Sequence, residues 1–293
     1  VDQYPRNFLR EFGMPTKFNT RGVYFQDQVA VGKWKALFSI RREFYNDVIP
    51  DGSDDTFTSE QDAWLPRLGL VYESDLKTNF YFSYATGFQP IDASNNSPQF
   101  GGPFDPERSR LFEVGGKSTF FDNRLITSLS FYEIIKKNVL VNAFNPDRPD
   151  QLEQRGRQRS RGFEAEASGS ITQNWSITAN YAWNKNIITE SDNEQEIGRI
   201  SENAPRSQGG LWTKYEFRNG LLDNFGVAGG FNFVTERNTF DSNLQLPGYT
   251  VADVAFTYEF GRAELNLNID NVFDKTHWIG GFQFGRIFPG QPR

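Results

Sequence analysis

Residues 263–269 read Ala-Glu-Leu-Asn-Leu-Asn-Ile, and the reading of these seven decides the fold. Successive Cβ atoms of a strand point to opposite sides. Ala263, Leu265, Leu267 and Ile269 therefore share one face, while Glu264, Asn266 and Asn268 share the other, continued by Asp270. The same alternation runs through 175–184, where Trp175, Ile177, Ala179, Tyr181 and Trp183 oppose Ser176, Thr178, Asn180 and Asn184. It returns in 163–170, with Phe163, Ala165 and Ala167 against Glu164, Glu166, Ser168 and Ser170. In 250–260, Val254, Phe256, Tyr258 and Phe260 oppose Asp253, Thr257 and Glu259.

Working outward, weaker runs of the same period lie at 23–31, 34–42, 64–72, 80–88, 109–117, 125–140, 209–217 and 227–234. About twelve strands are expected, and no segment sustains a capped 3.6-residue stripe. Short polar turns (32–33, 73–78, 121–123, 171–174, 218–224, 261–262) alternate with long polar segments (45–62, 89–108, 142–154, 186–204, 235–247, 272 onward). An up-and-down antiparallel sheet puts all short turns at one end and all long loops at the other. The expected class is all-β, an antiparallel up-and-down transmembrane β-barrel.

Composition bounds the rest. The 293 residues carry 37 Asp and Glu against 31 Lys and Arg, with one histidine and no cysteine. Thiol nucleophiles, cysteine-ligated zinc and disulfides are excluded. The lone His277 leaves no histidine cluster for a metal or a triad, and no cofactor is expected. A net charge of -6 without a basic block argues against a nucleic-acid partner. No run of 18 apolar residues exists to form a membrane helix. Aromatics nevertheless reach 16% of a chain whose mean hydropathy is -0.61.

Periodicity does not say which face is wet. Trp175 and Trp183 lie eight residues apart on one face, about 26 Å along the strand at roughly 3.3 Å per residue. A tilt of about 40° projects this to about 20 Å, near the height of a lipid-facing band between two aromatic girdles. Trp34, Trp64 and Tyr72 mark strand ends on apolar faces in the same way. The reversed sense, a soluble barrel plugged by aromatics, has the same period.

Several segments resemble those of a known family, the TonB-dependent outer-membrane receptors, especially its siderophore receptors. They are 20–31 (TRGVYFQDQVAV), 66–72 (PRLGLVY), 80–90 (FYFSYATGFQP), 113–117 (EVGGK), 161–166 (RGFEAE), 268–274 (NIDNVFD) and 285–293 (GRIFPGQPR), in the family's order. The resemblance implies a bacterial outer-membrane protein that takes up a ferric siderophore with energy delivered through TonB, in contact with outer-membrane lipids and lipopolysaccharide. It also implies a plug, a TonB-binding box and a 22-stranded barrel. Residues 1–293 resemble only the C-terminal part of that barrel, without plug, box or last strand. An open, curved partial barrel is therefore expected, because the first and last strands lack partners.

Carboxylate pairs such as Glu164/Glu166 read as the solvated lining of a lumen, and no enzyme chemistry is expected. Glu264, Asn266 and Asn268 belong to the same lumen-facing set. The ligand candidates are the aromatics and arginines in or beside the long segments: Phe88, Phe100, Phe104, Arg108, Phe144, Arg148, Trp278 and Phe284. Such residues suit a ferric chelate with delocalised rings and net negative charge. Two other classes fit the alternation: a passive porin-like diffusion channel and a soluble β-sheet carbohydrate-binding module.

Overall fold

The computed structural model describes residues 17–50, 56–74, 77–143, 145–191, 194–239, 244–281 and 286–293. One antiparallel sheet of twelve strands dominates. Its members are β1 (Lys17–Val31), β2 (Trp34–Pro50), β3 (Thr56–Glu73), β4 (Thr78–Gln89), β5 (Glu107–Phe120) and β6 (Leu125–Asn142). They continue through β7 (Leu152–Ser170), β8 (Trp175–Glu190), β9 (Ser207–Glu216), β10 (Phe225–Val234), β13 (Tyr249–Phe260) and β14 (Ala263–Ile269). Each strand pairs with the next in chain order. Two small ribbons stand apart, β11 (Arg237–Asn238) with β12 (Gln245–Leu246), and β15 (Trp278–Gly281) with β16 (Ile287–Pro289). Among the described residues β1 and β14 do not pair, so the sheet is open, as the sequence led us to expect.

The register shows the two faces directly. One row of paired residues runs Val31, Trp34, Tyr72, Phe80, Gly116, Leu129, Ala165, Tyr181, Gly209, Phe233 and Thr250 from β1 to β13. The adjacent row on the opposite face reads Lys35, Val71, Tyr81, Gly115, Ser130, Glu164, Ala182 and Gln208. The first row also measures tilt. It leaves β1 at the short turn, at Val31, and meets β13 at Thr250, ten residues from that strand's turn end at Phe260. Ten residues over ten strand steps is about 33 Å against about 48 Å, a tilt near 35°.

Among the described residues, nothing covers the apolar face. Phe25, Trp64, Phe80, Phe131 and Leu265 remain 52–63% exposed, an area no water-soluble surface sustains. Aromatics gather on it at two levels. Near the short turns, Trp34 packs on Tyr72 at 4.7 Å and Tyr215 on Phe217 at 5.0 Å. Higher up, Phe163 meets Phe131, Tyr181 and Trp183 at 5.7–6.2 Å. This inside-out arrangement, apolar without and polar within, is that of a wall in lipid.

On the interior face, large rings lie opposite glycines. Tyr81 pairs with Gly115, Tyr132 with Gly162 and Trp212 with Gly230. A Cβ on Gly115 or Gly162 would stand 2.7 Å from the tyrosine, and one on Gly230 2.8 Å from the indole. The missing side chain makes room for a ring lying flat along the wall. Trp212 thus faces inward, unlike the girdle tryptophans.

The strands run further than alternation suggested. Segment 45–62 was expected to be a long loop, yet β2 continues to Pro50 and β3 begins at Thr56, in register. Beyond the hydrocarbon layer both faces meet water, so the polar residues there carry no alternation to read. Cross-strand pairs hold the extension: Arg42 with Asp62, and Asn46 donating to Glu60 at 2.8 Å. The 51–55 connection is consequently shorter than the 217–224 turn, so loop lengths do not alternate strictly.

The inside-out assignment makes a sharp prediction. Leu129 points outward four residues above the short-turn end of β6, near the middle of an apolar band about 25 Å tall, and Ser128 beside it points inward. In the intact protein, Leu129→Arg should lower unfolding free energy in detergent or lipid by about 2–4 kcal/mol, and Ser128→Arg by far less. Equal losses would mean that the faces are assigned wrongly.

Candidate functional site

The interior face is lined by polar side chains in continuous rows. One runs Glu73, Asn79, Lys117, Ser128, Glu166, Asn180, Gly210 and Asn232. Lys35 bridges to Glu73 at 2.5 Å, and the Tyr81 hydroxyl donates to Glu113 at 2.5 Å. Glu164 and Glu166 are exposed on this face, and the Ser128 hydroxyl reaches Glu166 at 3.4 Å. Glu264, Asn266 and Asn268 share the face and are likewise exposed on the edge strand β14. They stand five strands from the Glu164 pair, about 24 Å along the sheet. The two sets therefore line one wall without forming one site.

At the loop end, the segment 90–106 does not stand out into solvent. It folds back over the interior face of β2 and β3, held by a set of mutually satisfied polar groups. The Ile91 amide donates to Gln61 Oε1 at 2.8 Å, and the Ser59 hydroxyl donates to the Ile91 carbonyl at 2.9 Å. The Ala93 amide donates to Asp47 Oδ2 at 2.7 Å, and Asn96 Nδ2 reaches Ser59 Oγ at 2.9 Å. Ala63 beneath it and the segment's own Ile91 and Ala93 are buried, at 0–6% exposure. Burial of polar groups is tolerated here because nearly every one is paired.

Two ionisable groups record this environment. Burial pushes the Tyr45 hydroxyl up to about 12, assisted by the neighbouring charges of Asp47 and Asp92. Burial alone would raise the Asp92 carboxyl as well. Hydrogen bonds from Ser94 and Asn95 overcome it and hold Asp92 below the usual aspartate range.

The connection 143–151 closes on the same segment. Arg148 Nη2 donates to the Gln99 carbonyl at 2.6 Å, and Gln154 and Asp105 exchange hydrogen bonds. A Cβ built on Gly101 would lie 3.6 Å from the Phe104 ring and 3.1 Å from the Leu152 carbonyl, so the two connections touch. Phe100, Phe104 and Arg148 are thereby brought into one cluster at the outer mouth. Arg148 is exposed and, among the described residues, has no carboxylate partner.

A second cluster forms at the far end of the sheet. Arg237, 6% exposed, donates to the carbonyls of Trp278 and Ile279 at 2.5 and 3.0 Å and lies 5.6 Å from the Tyr249 ring. Asn203 and Gly281 exchange two hydrogen bonds, at 2.7 and 3.0 Å. Buried Asn271 ties the chain back by accepting from the Lys275 amide and donating to the Lys275 and Gln291 carbonyls. His277 packs on Tyr249 at 4.6 Å and is a structural loop residue. Trp278 belongs to this cluster and is therefore not part of the Phe104 cluster.

Phe88 and Arg108 fall elsewhere. They pair across β4 and β5 on the face of Phe80 and Phe112, and Arg108 lies 5.1 Å over the Phe88 ring. Strict alternation through both strands turns this pair to the outside of the wall, away from the mouth. Phe144 and Phe284 lie outside the described residues. Sequence reasoning missed Asp47, Ser59, Gln61 and Arg237, which look like ordinary polar residues until distant segments meet them.

The chain matches the family model described as TonB dependent receptor-like, beta-barrel, over residues 2–272. It is 30% identical over 279 residues to the metal-pseudopaline receptor of Pseudomonas aeruginosa, covering 92% of this chain and 39% of the relative. It is 26% identical to the ferrioxamine B receptor of Salmonella typhimurium over 271 residues, covering 89% and 37% of the two chains. The chain thus spans about two fifths of the length of these relatives. Among solved structures, the ferripyoverdine receptor of P. aeruginosa superposes with a TM-score of 0.79 at 23% identity, over 95% of this chain and 38% of that one. The siderophore receptor PiuA of Acinetobacter baumannii gives 0.78 at 22%, over 95% and 42%. An open sheet with lipid outside and a polar lumen inside is the matching portion of such a barrel. The chain belongs to the TonB-dependent receptor-like β-barrel family, whose members are outer-membrane transporters and not enzymes.

Proposed function

We propose that residues 1–293 are the C-terminal part of the barrel of a receptor that imports a chelated metal ion, of ferric-siderophore type, driven through TonB. In this reading the plug and the box that engages TonB belong to parts of the receptor outside these residues. The observation that carries the proposal is the anchored segment 90–106, which holds Phe100 and Phe104 beside Arg148 at the mouth of a polar lumen. The Arg148 guanidinium offers a planar array of donors to the oxygens of an anionic chelate, and the aromatic rings offer faces to its delocalised parts. The relatives that bind metal-pseudopaline and ferrioxamine B support this class of solute. A passive channel would need no such cluster at its mouth.

Below the mouth, Glu164, Glu166, Glu264, Asn266 and Asn268 are placed to hydrogen-bond a plug or a passing solute. Their exposure on the interior face supports that role. The wide separation of the two sets favours contact with something large, such as a plug domain, over a single small-molecule site.

Two experiments test these assignments in the complete receptor. Binding of a panel of ferric and other metal chelates, followed by intrinsic fluorescence quenching, should find at least one tight ligand. Its affinity should fall about 10-fold or more in Arg148→Ala, as expected for loss of a charge-assisted hydrogen bond. Binding untouched by both Arg148→Ala and Phe104→Ala would remove the cluster from the site. Separately, the double change Glu164→Gln with Glu264→Gln should slow TonB-dependent uptake while leaving chelate binding at the mouth intact. Unchanged uptake would refute the lumen role.

A further inference from the structure

One short turn, 217–224, carries chemistry that neither the mouth nor the lumen uses. Its base is closed: the Phe217 amide donates to the Phe225 carbonyl at 2.8 Å, and the Asn224 amide to the Phe217 carbonyl at 2.9 Å. Above that base a single 3-10 turn, Gly220–Leu222, stands out into solvent with Leu221 fully exposed. Asn219 precedes it, exposed, and its side-chain amide caps nothing. Asn219–Gly220 is the one Asn-Gly step in the 293 residues.

Three features meet at this step. The Gly220 amide opens the 3-10 turn, where no intrahelical acceptor exists for it. Gly220 has a φ of 79°, and a Cβ built on it would meet nothing within 4 Å, so the approach to its nitrogen is open. Asn219 is extended, with ψ at 154°. Rotation about that bond carries the Gly220 nitrogen over Asn219 Cγ, while the closed base keeps β9 and β10 in place. Other asparagines at turns lack the combination. Asn123 accepts from Thr119 Oγ1 at 2.9 Å and precedes Arg124, and Asn174 precedes Trp175. Asn271 is buried, with its amide on two carbonyls.

We propose that Asn219 is a site of spontaneous covalent modification, converting to aspartate and isoaspartate with water as co-reactant. The Gly220 nitrogen attacks Asn219 Cγ, the Cγ–Nδ2 bond breaks, and Nδ2 leaves as ammonia with the proton of the Gly220 N–H. Nucleophile and electrophile sit on one chain, so the attack is intramolecular and the effective concentration high. Water then opens the five-membered imide. Addition at Cγ gives aspartate; addition at the main-chain carbonyl carbon gives isoaspartate, whose backbone runs through Cγ. No atom changes oxidation state. Either product sets a carboxylate beside Arg218, whose Nη2 donates to Glu216 at 3.1 Å, and isoaspartate also lengthens the backbone of the turn by one carbon. The inference depends on this turn and not on the solute the receptor carries.

The test incubates the complete receptor in detergent at body temperature and mildly alkaline pH for several weeks. Mass spectrometry then follows a proteolytic peptide spanning 217–236. That peptide should show the mass shift of an amide replaced by an acid, placed at 219 by fragmentation. An isoaspartyl methyltransferase should transfer labelled methyl groups to the aged protein and not to the fresh one. Asn219→Gln should abolish both signals. Gly220→Ala keeps the asparagine but puts a Cβ beside the nucleophile, and should slow both to a small fraction of the parent rate. Asn123 and Asn174 should stay amidated throughout. A 217–236 peptide that stays unshifted, label that persists in Asn219→Gln, or Asn123 or Asn174 converting as fast as Asn219 would each overturn the proposal.

Discussion

The backbone hydrogen bond in hydrocarbon governs this molecule. An amide or carbonyl that crosses lipid without a partner costs several kcal/mol, so a spanning sheet must pair every strand with both neighbours. That requirement produces the unbroken ladders from β1 to β14, with register shifts only where β7 leaves the membrane near Arg157. It also fixes what the side chains can do. Once the ladder is set, each residue faces either lipid or lumen, and one-residue slips are forbidden because they would exchange the faces. Among the described residues, β1 and β14 are the strands of this sheet that have a neighbour on one side only.

Function follows from the division of faces. The lipid side is predominantly apolar up to the second aromatic level, with Asp27 on β1 as a charged residue within it, then changes to cations on β5 to β8. The interior is largely polar, with rings laid against Gly115, Gly162 and Gly230 so that bulk does not project into the passage. At the mouth, the segment 90–106 turns inward because Asp47, Ser59 and Gln61 satisfy its backbone there. A loop so anchored is already ordered; under the proposed function this limits the entropic cost of binding a solute there.

Much of this was legible before any coordinates. The alternation at 263–269 and 175–184 located the strands and their faces because a strand in two solvents must alternate. Trp175 and Trp183 are both outward, at the two levels their spacing implied. The interior placement of Glu164, Glu166, Glu264, Asn266 and Asn268 followed from the same period. What failed has a common physical cause: above the membrane both faces are wet, and the signal disappears. Residues 45–50 and 56–62 therefore read as loop while forming strand. Phe88 and Arg108 read as mouth residues because their positions next to a long loop were visible and their facing was not. The tethers Asp47, Ser59 and Arg237 were silent, since their partners lie 32–46 residues away in the chain.

The claim on which all else depends is that the two faces of each strand meet opposite solvents. Nitroxide labels placed singly at 176–183 of the complete receptor in lipid, read by power-saturation spin resonance, test it most directly. The account predicts that labels at 177, 179, 181 and 183 collide with oxygen dissolved in lipid. Labels at 176, 178, 180 and 182 should instead collide with a water-soluble nickel chelate. A profile without the two-residue period, or one with the parity reversed, would contradict it.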